Sequence, residues 1–561
     1  MMTLTIPRRA SLISVFAIAI AIIVASVVLL IRRRSPLSTT GIDALVQASA
    51  SLPIRPIQAR LSANFPYKEY GSSTKWTVRA DQLLVRQVSL AVQIEARKNP
   101  TALQRHTLGV SYLLLDNPEH ARLEFETALR QETRSSSTLA AIRASENAEL
   151  LNDLSAAYQS LFTRSHLYEW QALAIETAQR AWKLKPSPQI AFTRALALES
   201  LRIRESAIGA WMNYLSLDAD SLWSNEARAR LKELQQPTEA ELWLATRDRL
   251  LKISDDPAAL RVLVDRNRQS VRLWCEDELL PRWGDAALRG DPAAAGMLAP
   301  IAAIGKALRN SNGECDIVDA VDAIRRANEN DLLRLARGHA AYGRGRKAIT
   351  GVESQIALRE TGLAVANLGP LNSPFARRAR IEHAAATYLT NDYQRVLKEL
   401  AALPSSPESH ASTGRVEWLR GITRGQMGAP ELAIRHYRRA LEAFQRAGEG
   451  DYECMIHSLL AWALENGGNY AEADGHRDRA LQILSRTGNS DRRHVVVFEA
   501  AYAAIVRDTP ALADIMLDSV VAHDTATGSS FYACNSLMWR GASRFRRGLR
   551  QAAEDDLLLA R

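Results

Sequence analysis

The chain of 561 residues is long enough for three or four domains or for one long repeat array. Hydrophobic residues make up 47% and charged residues 24%, which excludes a mainly disordered chain. Aromatic residues are only 6%, and Ala and Leu carry the apolar content, which favours helix over sheet. The formal net charge is +9, but five arginines and no acidic residue fall within residues 1–34. The rest of the chain is therefore nearly balanced, which argues against a nucleic-acid-binding protein.

Residues 10–31 contain no charged residue and are flanked by arginines on both sides. At ~1.5 Å per residue, a helix of this length reaches about 33 Å and can cross a bilayer core of ~30 Å. A cleaved signal peptide is the alternative, although its apolar region usually has only ~7–15 residues and is not followed directly by three arginines. We predict that residues 1–9 are a flank and residues 10–31 a single-pass membrane anchor. The arginines on the two sides nearly balance, so the orientation stays open.

Residues 32–75 are rich in proline, with Pro36, Pro53, Pro56 and Pro66. Proline disfavours regular helix, and the residue before each proline is pushed away from the helical region. We therefore predict an extended linker that holds the folded part away from the lipid.

Residues 76–235 carry a spacing of small and large apolar residues that is typical of stacked helix pairs. The first unit contains Leu108, Gly109, Tyr112, Ala121, Phe125 and Ala128. A second unit contains Ala174, Ala181 and a helix-ending Pro186. These positions resemble the tetratricopeptide repeat (TPR) signature, which implies an α-solenoid whose first helices line a groove. On that resemblance the N-terminal groove would present His106, Val110, Asn152 and Gln159.

Residues 236–330 have a helical pattern without a repeat register, and we predict a helical middle segment there.

Residues 331–561 form a second predicted array, in which the sequence aligns with itself at a shift of 40 residues. Small residues recur in the columns Gly421, Ala433, Ala440, Ala473, Ala480, Ala513 and Ala553. A turn column holds Gly428, Gly468, Asp508 and Gly548, and Gly448, Gly488 and Gly528 mark the joints between units. Each unit therefore reads as helix, turn, helix, and the last unit is truncated at Arg561. Such hairpins bury their apolar faces by stacking.

The TPR resemblance places six apolar side chains of the second array in a partner groove: Trp418, Ile422, Trp462, Phe498, Tyr502 and Met538. Large aromatics often anchor interfaces, although the same side chains could simply pack between helices.

Catalytic and metal motifs are weak in this sequence. The four cysteines are scattered, no histidine pair has metal-ligand spacing, and we expect no cofactor. Cys534 lacks the context of a histidine-activated nucleophile, and 338–344 lacks the Lys and Ser/Thr of a phosphate-binding loop. A cluster of arginines between 540 and 550 spreads around its helix and indicates a solvated face. We therefore do not expect this chain to be an enzyme.

Together these features predict an all-α, TPR-like solenoid behind a transmembrane helix, acting as a membrane-anchored scaffold that binds partner peptides or helices. The layout also resembles the front part of bacterial TPR proteins that carry a caspase-like CHAT domain. That resemblance implies a bacterial inner-membrane location. It leaves a second hypothesis, the regulatory half of a membrane-anchored peptidase whose catalytic domain lies beyond residue 561. Protein partners and the membrane, through residues 10–31, are expected, whereas nucleic acid and small-molecule substrates are not.

Overall fold

The protein is all-α, as a computed structural model shows. The structure describes residues 41–71, 83–403, 409–528 and 530–561. Regular structure in these ranges is helical, apart from an isolated bridge between Arg55 and Tyr70. The predicted fold class is thus confirmed for the described ranges. The predicted anchor, residues 10–31, lies outside them, and none of the described helices is long and apolar enough to span a membrane.

Two compact units make up the chain. Of the described residues, the first contains those up to Ser160 together with Lys183–Thr193, and the second contains those of Leu161–Trp182 and Arg194–Arg561. The helices of the N-terminal part are Ile42–Ser49, Leu83–Lys98, Ala102–Leu114, Pro118–Thr133, Thr138–Ala144, Ala148–Ser165, Tyr168–Leu184, Pro188–Ser200, Arg204–Leu217 and Leu222–Leu234.

The stretch predicted as the helical middle segment consists of helices of very different lengths that lead into two hairpins. Its helices are Glu239–Lys252, Pro257–Arg266, Arg268–Trp274, a π-helical turn Cys275–Leu279, Leu280–Leu288, Ala293–Asn312 and Asp316–Arg326. The two following hairpins are Glu329–Thr350 with Ser354–Leu368, which runs into the 3-10 turn Gly369–Leu371, and Phe375–Tyr388 with Tyr393–Ala401.

The last eight helices form four hairpins at a pitch of 40 residues. The first helices are His410–Gln426, Gly450–Asn466, Ser490–Val506 and Ser530–Arg546. The second helices are Pro430–Ala447, Tyr470–Thr487, Pro510–Thr527 and Arg550–Leu559. Each first helix packs against its second helix, and consecutive hairpins pack against one another. This is the TPR-like arrangement of helix pairs, with its core shared between neighbouring units.

The turn columns read from the sequence have left-handed backbone conformations. The turn inside each hairpin has φ of +76° at Gly428, +78° at Gly468, +56° at Asp508 and +75° at Gly548. The joints between hairpins at Gly448, Gly488 and Gly528 are also left-handed. Glycine enters this region without steric cost, which explains why these columns are glycine-rich.

The small-residue columns lie where helices approach closely. The buried members of the predicted packing set are Leu108, Gly109, Ala121, Phe125, Ala128, Ala174, Ala181, Gly421, Ala433, Ala440, Ala473, Ala480, Ala513 and Ala553. Tyr112 is half-buried, and Pro186 is exposed just after the helix Tyr168–Leu184 ends. A Cβ on Gly421 would lie 2.5 Å from the ring of Tyr437, so the helix crossing there requires glycine.

Equivalent side-chain contacts repeat in the same register. The thiol of Cys454 lies 3.1 Å from the carbonyl oxygen of Ala480, and that of Cys534 lies 3.0 Å from the carbonyl oxygen of Ala560. The two pairs are related by two units of the array. All four cysteines are free.

The predicted proline-rich linker differs from the extended tether in its described part, residues 41–71. Ile42–Ser49 is a helix that packs on Leu83–Lys98, and the side chains of Leu52, Ile57 and Leu61 are buried. Three apolar side chains removed from water outweigh the tendency of the prolines to leave the chain extended and solvated. This segment is therefore part of the first unit.

A buried ion-pair network lies at the centre of the second unit. Glu276 is fully buried, pairs with Arg272 one helical turn earlier, and lies 2.7 Å from the guanidinium of Arg378. Arg272 also lies 2.5 Å from Glu449, in the joint between two of the C-terminal hairpins. The network therefore ties the middle segment directly to the C-terminal array.

Two further arginines extend the same network. Arg346 binds Asp277 at 3.0 Å and Glu382 at 3.1 Å, and Arg415 also pairs with Glu382. Burial raises the pKa of Glu276, but the nearby arginines outweigh this effect and lower it to about 2. Glu276 is therefore ionised at neutral pH, and its charge is compensated by the network.

The close helix crossing predicts a stability difference between two glycines. Gly421→Ala should destabilise the protein by about 1–3 kcal/mol, because the new methyl group collides with the Tyr437 ring. Gly475→Ala is the matched control, since nothing lies within 4 Å of its Cβ and alanine favours helix by ~1 kcal/mol. Urea denaturation of both variants checks this. Equal midpoints for the two would contradict the hairpin register.

The buried network predicts a strong effect of removing one charge. Glu276→Gln should cost about 3–5 kcal/mol, because it removes the fully buried counter-charge that Arg272 and Arg378 share, although each keeps another carboxylate partner. The folded pKa of Glu276 lies below its ordinary value, so its contribution is full above about pH 4.5 and is lost as the pH falls towards 2. Denaturation at pH 7 and pH 3 should thus show a smaller penalty at pH 3. Glu442→Gln, in an exposed pair, should have almost no effect at either pH.

Candidate partner-binding surfaces

The predicted N-terminal groove is occupied by the chain itself. Asn152 donates from Nδ2 to the carbonyl oxygen of Arg60 at 3.0 Å, and the hydroxyl of Thr193 donates to the same oxygen at 2.8 Å. The amide of Ser62 donates to Asp153 at 2.8 Å, and its hydroxyl donates to the carbonyl oxygen of Glu149. A piece of the chain's own backbone is therefore bound where the TPR resemblance places a partner peptide.

The other predicted N-terminal groove positions support this piece of chain. His106 Nε2 lies 2.9 Å from Asp153, whose other carboxylate oxygen binds Ser62. Gln159 donates from Nε2 to the carbonyl oxygen of Thr193, and Val110 is fully buried. The first unit thus uses these residues to bind its own residues 60–62.

In the C-terminal array, the six predicted groove residues fall into different environments. Trp418 and Ile422 are half-buried and pack against two hydrophobic clusters, one of which Trp462 also contacts. Phe498 is half-buried, and its ring stacks on that of His494 at 5.2 Å. Met538 is 47% exposed.

Trp462 and Tyr502 are brought together at one open pocket of about 100 Å³. It lies among the first helices Gly450–Asn466 and Ser490–Val506 and the second helix Tyr470–Thr487. Its remaining lining includes Ser458, Ala461, Glu465, Asn466, Arg477, Ala480, Val496, Glu499, Ala500, Ala503 and Val506. Asn466 and Val506 are exposed at its rim, so the pocket is accessible from solvent. We call it the Trp462 pocket.

The charged groups on one side of the Trp462 pocket form a closed set of ion pairs. Arg477 lies 2.9 Å from Asp474 and also pairs with Glu465. Arg507 lies 2.8 Å from each of the same two carboxylates. Both guanidinium groups also lie over the ring of Tyr168, at 5.3 and 4.9 Å. Two arginines and two carboxylates therefore compensate one another.

Glu499 is the charged residue of the Trp462 pocket that does not belong to this set of ion pairs. Within the described part of the chain it makes neither a hydrogen bond nor an ion pair, and it is half-buried. Burial raises the pKa of Glu499 to about 7; Arg477 lowers it and Glu465 raises it further. The Trp462 pocket thus contains two aromatic side chains and one uncompensated carboxyl group.

Sequence reasoning did not find Glu499, although a signal was present. The equivalent positions of the other three units are Leu419, Leu459 and Trp539. A lone carboxylate in an apolar repeat column is a departure that the packing rules do not require. Trp539 packs next to the pocket, because its ring lies edge-on to that of Tyr502 with 5.0 Å between the ring centroids.

The arginine cluster near the C-terminal end is largely ion-paired. Arg540 and Arg544 both bind Asp518 at 3.0 Å and also bind Asp556, while Arg547 pairs with Asp514. The charges of these three arginines are therefore compensated within the array. In the described ranges, moreover, no group of three or more His, Cys, Asp or Glu could hold a metal ion.

Comparisons with known proteins do not assign the chain to a family. No protein-family model matches the chain, and no curated protein matches it. Among solved structures, it is similar to a chain of the crystal structure of the APC/C hetero-tetramer Cut9–Hcn1 at 12% identity and a TM-score of 0.29. That match covers 81% of this chain and 94% of the other. The assignment of TPR-like hairpins rests on the 40-residue helix pairs themselves.

The bound segment of the first unit predicts protection from trypsin at Arg60. Its carbonyl, which trypsin must attack, accepts two hydrogen bonds. Asn152→Ala combined with Thr193→Val removes both, each worth about 1 kcal/mol, so cleavage after Arg60 should accelerate roughly tenfold or more. Timed digestion followed by mass spectrometry measures this.

Thr246→Val is the control for that digestion, because the hydroxyl of Thr246 bonds only to carbonyl groups of its own helix. It should leave cleavage at Arg60 unchanged. Rapid cleavage at Arg60 in the unmodified protein would show that the segment is not held in the groove.

Proposed function

We propose that the protein is a protein–protein interaction scaffold, and that the first-helix face of its C-terminal hairpins binds partner peptides or helices. The Trp462 pocket is the observation that carries this proposal, because most of its lining residues lie on two consecutive first helices and two of them are aromatic. Pockets of this kind accept the anchor side chains that dominate binding energy.

Exposed apolar side chains on the same set of first helices support the proposal. Val506 is 57% exposed, Met538 47% and Phe545 67%. Apolar side chains clustered on a surface are typical of interaction sites. The N-terminal groove, by contrast, already holds residues 60–62. The C-terminal hairpins are thus the surface that we assign to a separate partner.

Two finer parts of the hypothesis remain proposals. Attachment to a bacterial inner membrane rests on the uncharged stretch 10–31 and its flanking arginines. Regulation of a caspase-like domain rests only on the resemblance in layout, and no contact in the described ranges favours it over the scaffold.

Site-specific photocrosslinking tests the scaffold function. A benzoylphenylalanine at position 506 of the full-length chain, irradiated in cells, should give a discrete protein adduct. Trp462→Ala should reduce that adduct at least about tenfold, since truncating an aromatic anchor costs ~2 kcal/mol or more. Leu363→Ala, an exposed residue outside the face, should leave it unchanged.

The melting temperature of each variant is measured alongside, so that loss of the adduct is not confused with unfolding. An absent adduct, or one that survives Trp462→Ala in a folded variant, would contradict the assignment of this surface.

A further inference from the structure

The Trp462 pocket has the charge of a cation-binding site. Of the charged groups that line it, Glu465 and Arg477 belong to the closed set of ion pairs, so their charges are compensated. The carboxyl group of Glu499 remains without a partner in the described part of the chain. A partly buried carboxylate is stabilised when a cation binds beside it. The carboxylate in turn offsets the hydration free energy that the cation loses on leaving water.

The aromatic lining fits the same occupant. Trp462 and Tyr502 both contribute to the walls of the pocket, and the faces of Trp and Tyr rings attract cations by ~0.5–2 kcal/mol. An anion would meet Glu499 without a free donor opposite it, because Arg477 already bonds to Asp474 and Glu465. An aliphatic side chain would leave the carboxyl group buried and unpaired, which costs free energy.

The volume of the pocket also matches a single side-chain head group. A volume of about 100 Å³ holds several water molecules or the head group of one side chain, but not a folded element. The exposed rim at Asn466 and Val506 lets a chain lying along the first helices insert one side chain.

We propose that the Trp462 pocket binds one cationic side-chain head group, the guanidinium of an arginine or the ammonium of a lysine, from a partner protein. Glu499 provides the counter-charge, and Trp462 and Tyr502 provide the aromatic contact. The inference rests on the proposed scaffold function for the identity of the partner, but the pocket's preference for a cation can be measured without any partner.

The preference depends on pH through Glu499. The other ionisable groups around it are Tyr502 in the pocket wall and four groups that pair with one another, Glu465, Asp474, Arg477 and Arg507. Tyr437 also lies nearby, and burial raises its pKa far above neutrality. The pKa of Glu499 is about 7 in the empty pocket, so its ionised fraction falls about tenfold between pH 8 and pH 6. The affinity for a cation should fall by the same factor.

Fluorine NMR of the full-length chain labelled with 5-fluorotryptophan tests the pocket directly. The Trp462 resonance is assigned by its loss in Trp462→Phe. Titration with n-propylguanidinium chloride should shift this resonance to saturation, whereas the neutral n-propylurea should not. The dissociation constant should rise about tenfold from pH 8 to pH 6. In Glu499→Gln the shift should disappear, and in the control Glu442→Gln it should persist.

Equal shifts with the guanidinium and the urea, or no shift with either, would overturn the proposal. So would a guanidinium shift that Glu499→Gln leaves intact. Because Glu499→Gln removes a partly buried carboxyl group rather than a paired one, it should fold at least as well as the unmodified chain. Its melting curve verifies this.

A peptide selection separates the two proposals. A displayed library of random dodecamers, selected on the full-length chain, should enrich peptides with Lys or Arg at one fixed position, and Glu499→Gln should lose that preference. Enriched peptides without a basic position would support the scaffold and overturn the cation site. A saturable guanidinium shift without any enriched peptide would support the site and contradict the scaffold.

Discussion

The buried pairing of Glu276 with Arg272 and Arg378 is the interaction on which the second unit depends. These groups come from the middle segment and from the hairpin that begins at Phe375, and Arg272 reaches on to Glu449 in the C-terminal array. Desolvating so many charges is expensive, and only nearly complete mutual compensation makes the arrangement tolerable. Apolar packing alone would allow neighbouring hairpins to slide, whereas a buried charge is satisfied in one register only. The network therefore fixes which part of the middle segment lies against the C-terminal hairpins.

Much of the repeat architecture could be predicted because its causes are local. A left-handed turn requires glycine or a small polar residue, and a close helix crossing requires a small side chain. Both constraints therefore recur at the repeat period, as at Gly468 and Ala473. The buried ion-pair network produces no recurring pattern in the sequence. Its charges come from distant stretches of chain, and nothing in the neighbourhood of Glu276 distinguishes it from a surface carboxylate. The bound segment near Arg60 was missed for the same reason, since prolines suggest an extended chain but do not tell what that chain lies against.

At the candidate site, too, the sequence does not predict the surroundings of individual side chains. Repeat geometry places Trp418 and Trp462 at related positions of the first helices, and sequence alone treats them alike. In the structure both pack against one hydrophobic cluster, but Trp418 also contacts a second cluster, whereas Trp462 also lines a pocket. Only the side chains on neighbouring helices decide between these outcomes. Glu499 could have been noticed as the one acidic member of an apolar column, but its lack of a partner is a property of the folded array.

The occupied groove of the first unit has a consequence for competition. Residues 60–62 are covalently attached to the helices that bind them, so their effective concentration at the groove is on the order of millimolar. A free peptide with the same contacts would have to exceed that concentration to replace them, however well it fitted. The groove therefore excludes weak ligands because residues 60–62 are covalently attached to it, and not because of its shape. A protein that opened it would have to supply additional binding energy from outside the groove, in the way that a bivalent ligand does.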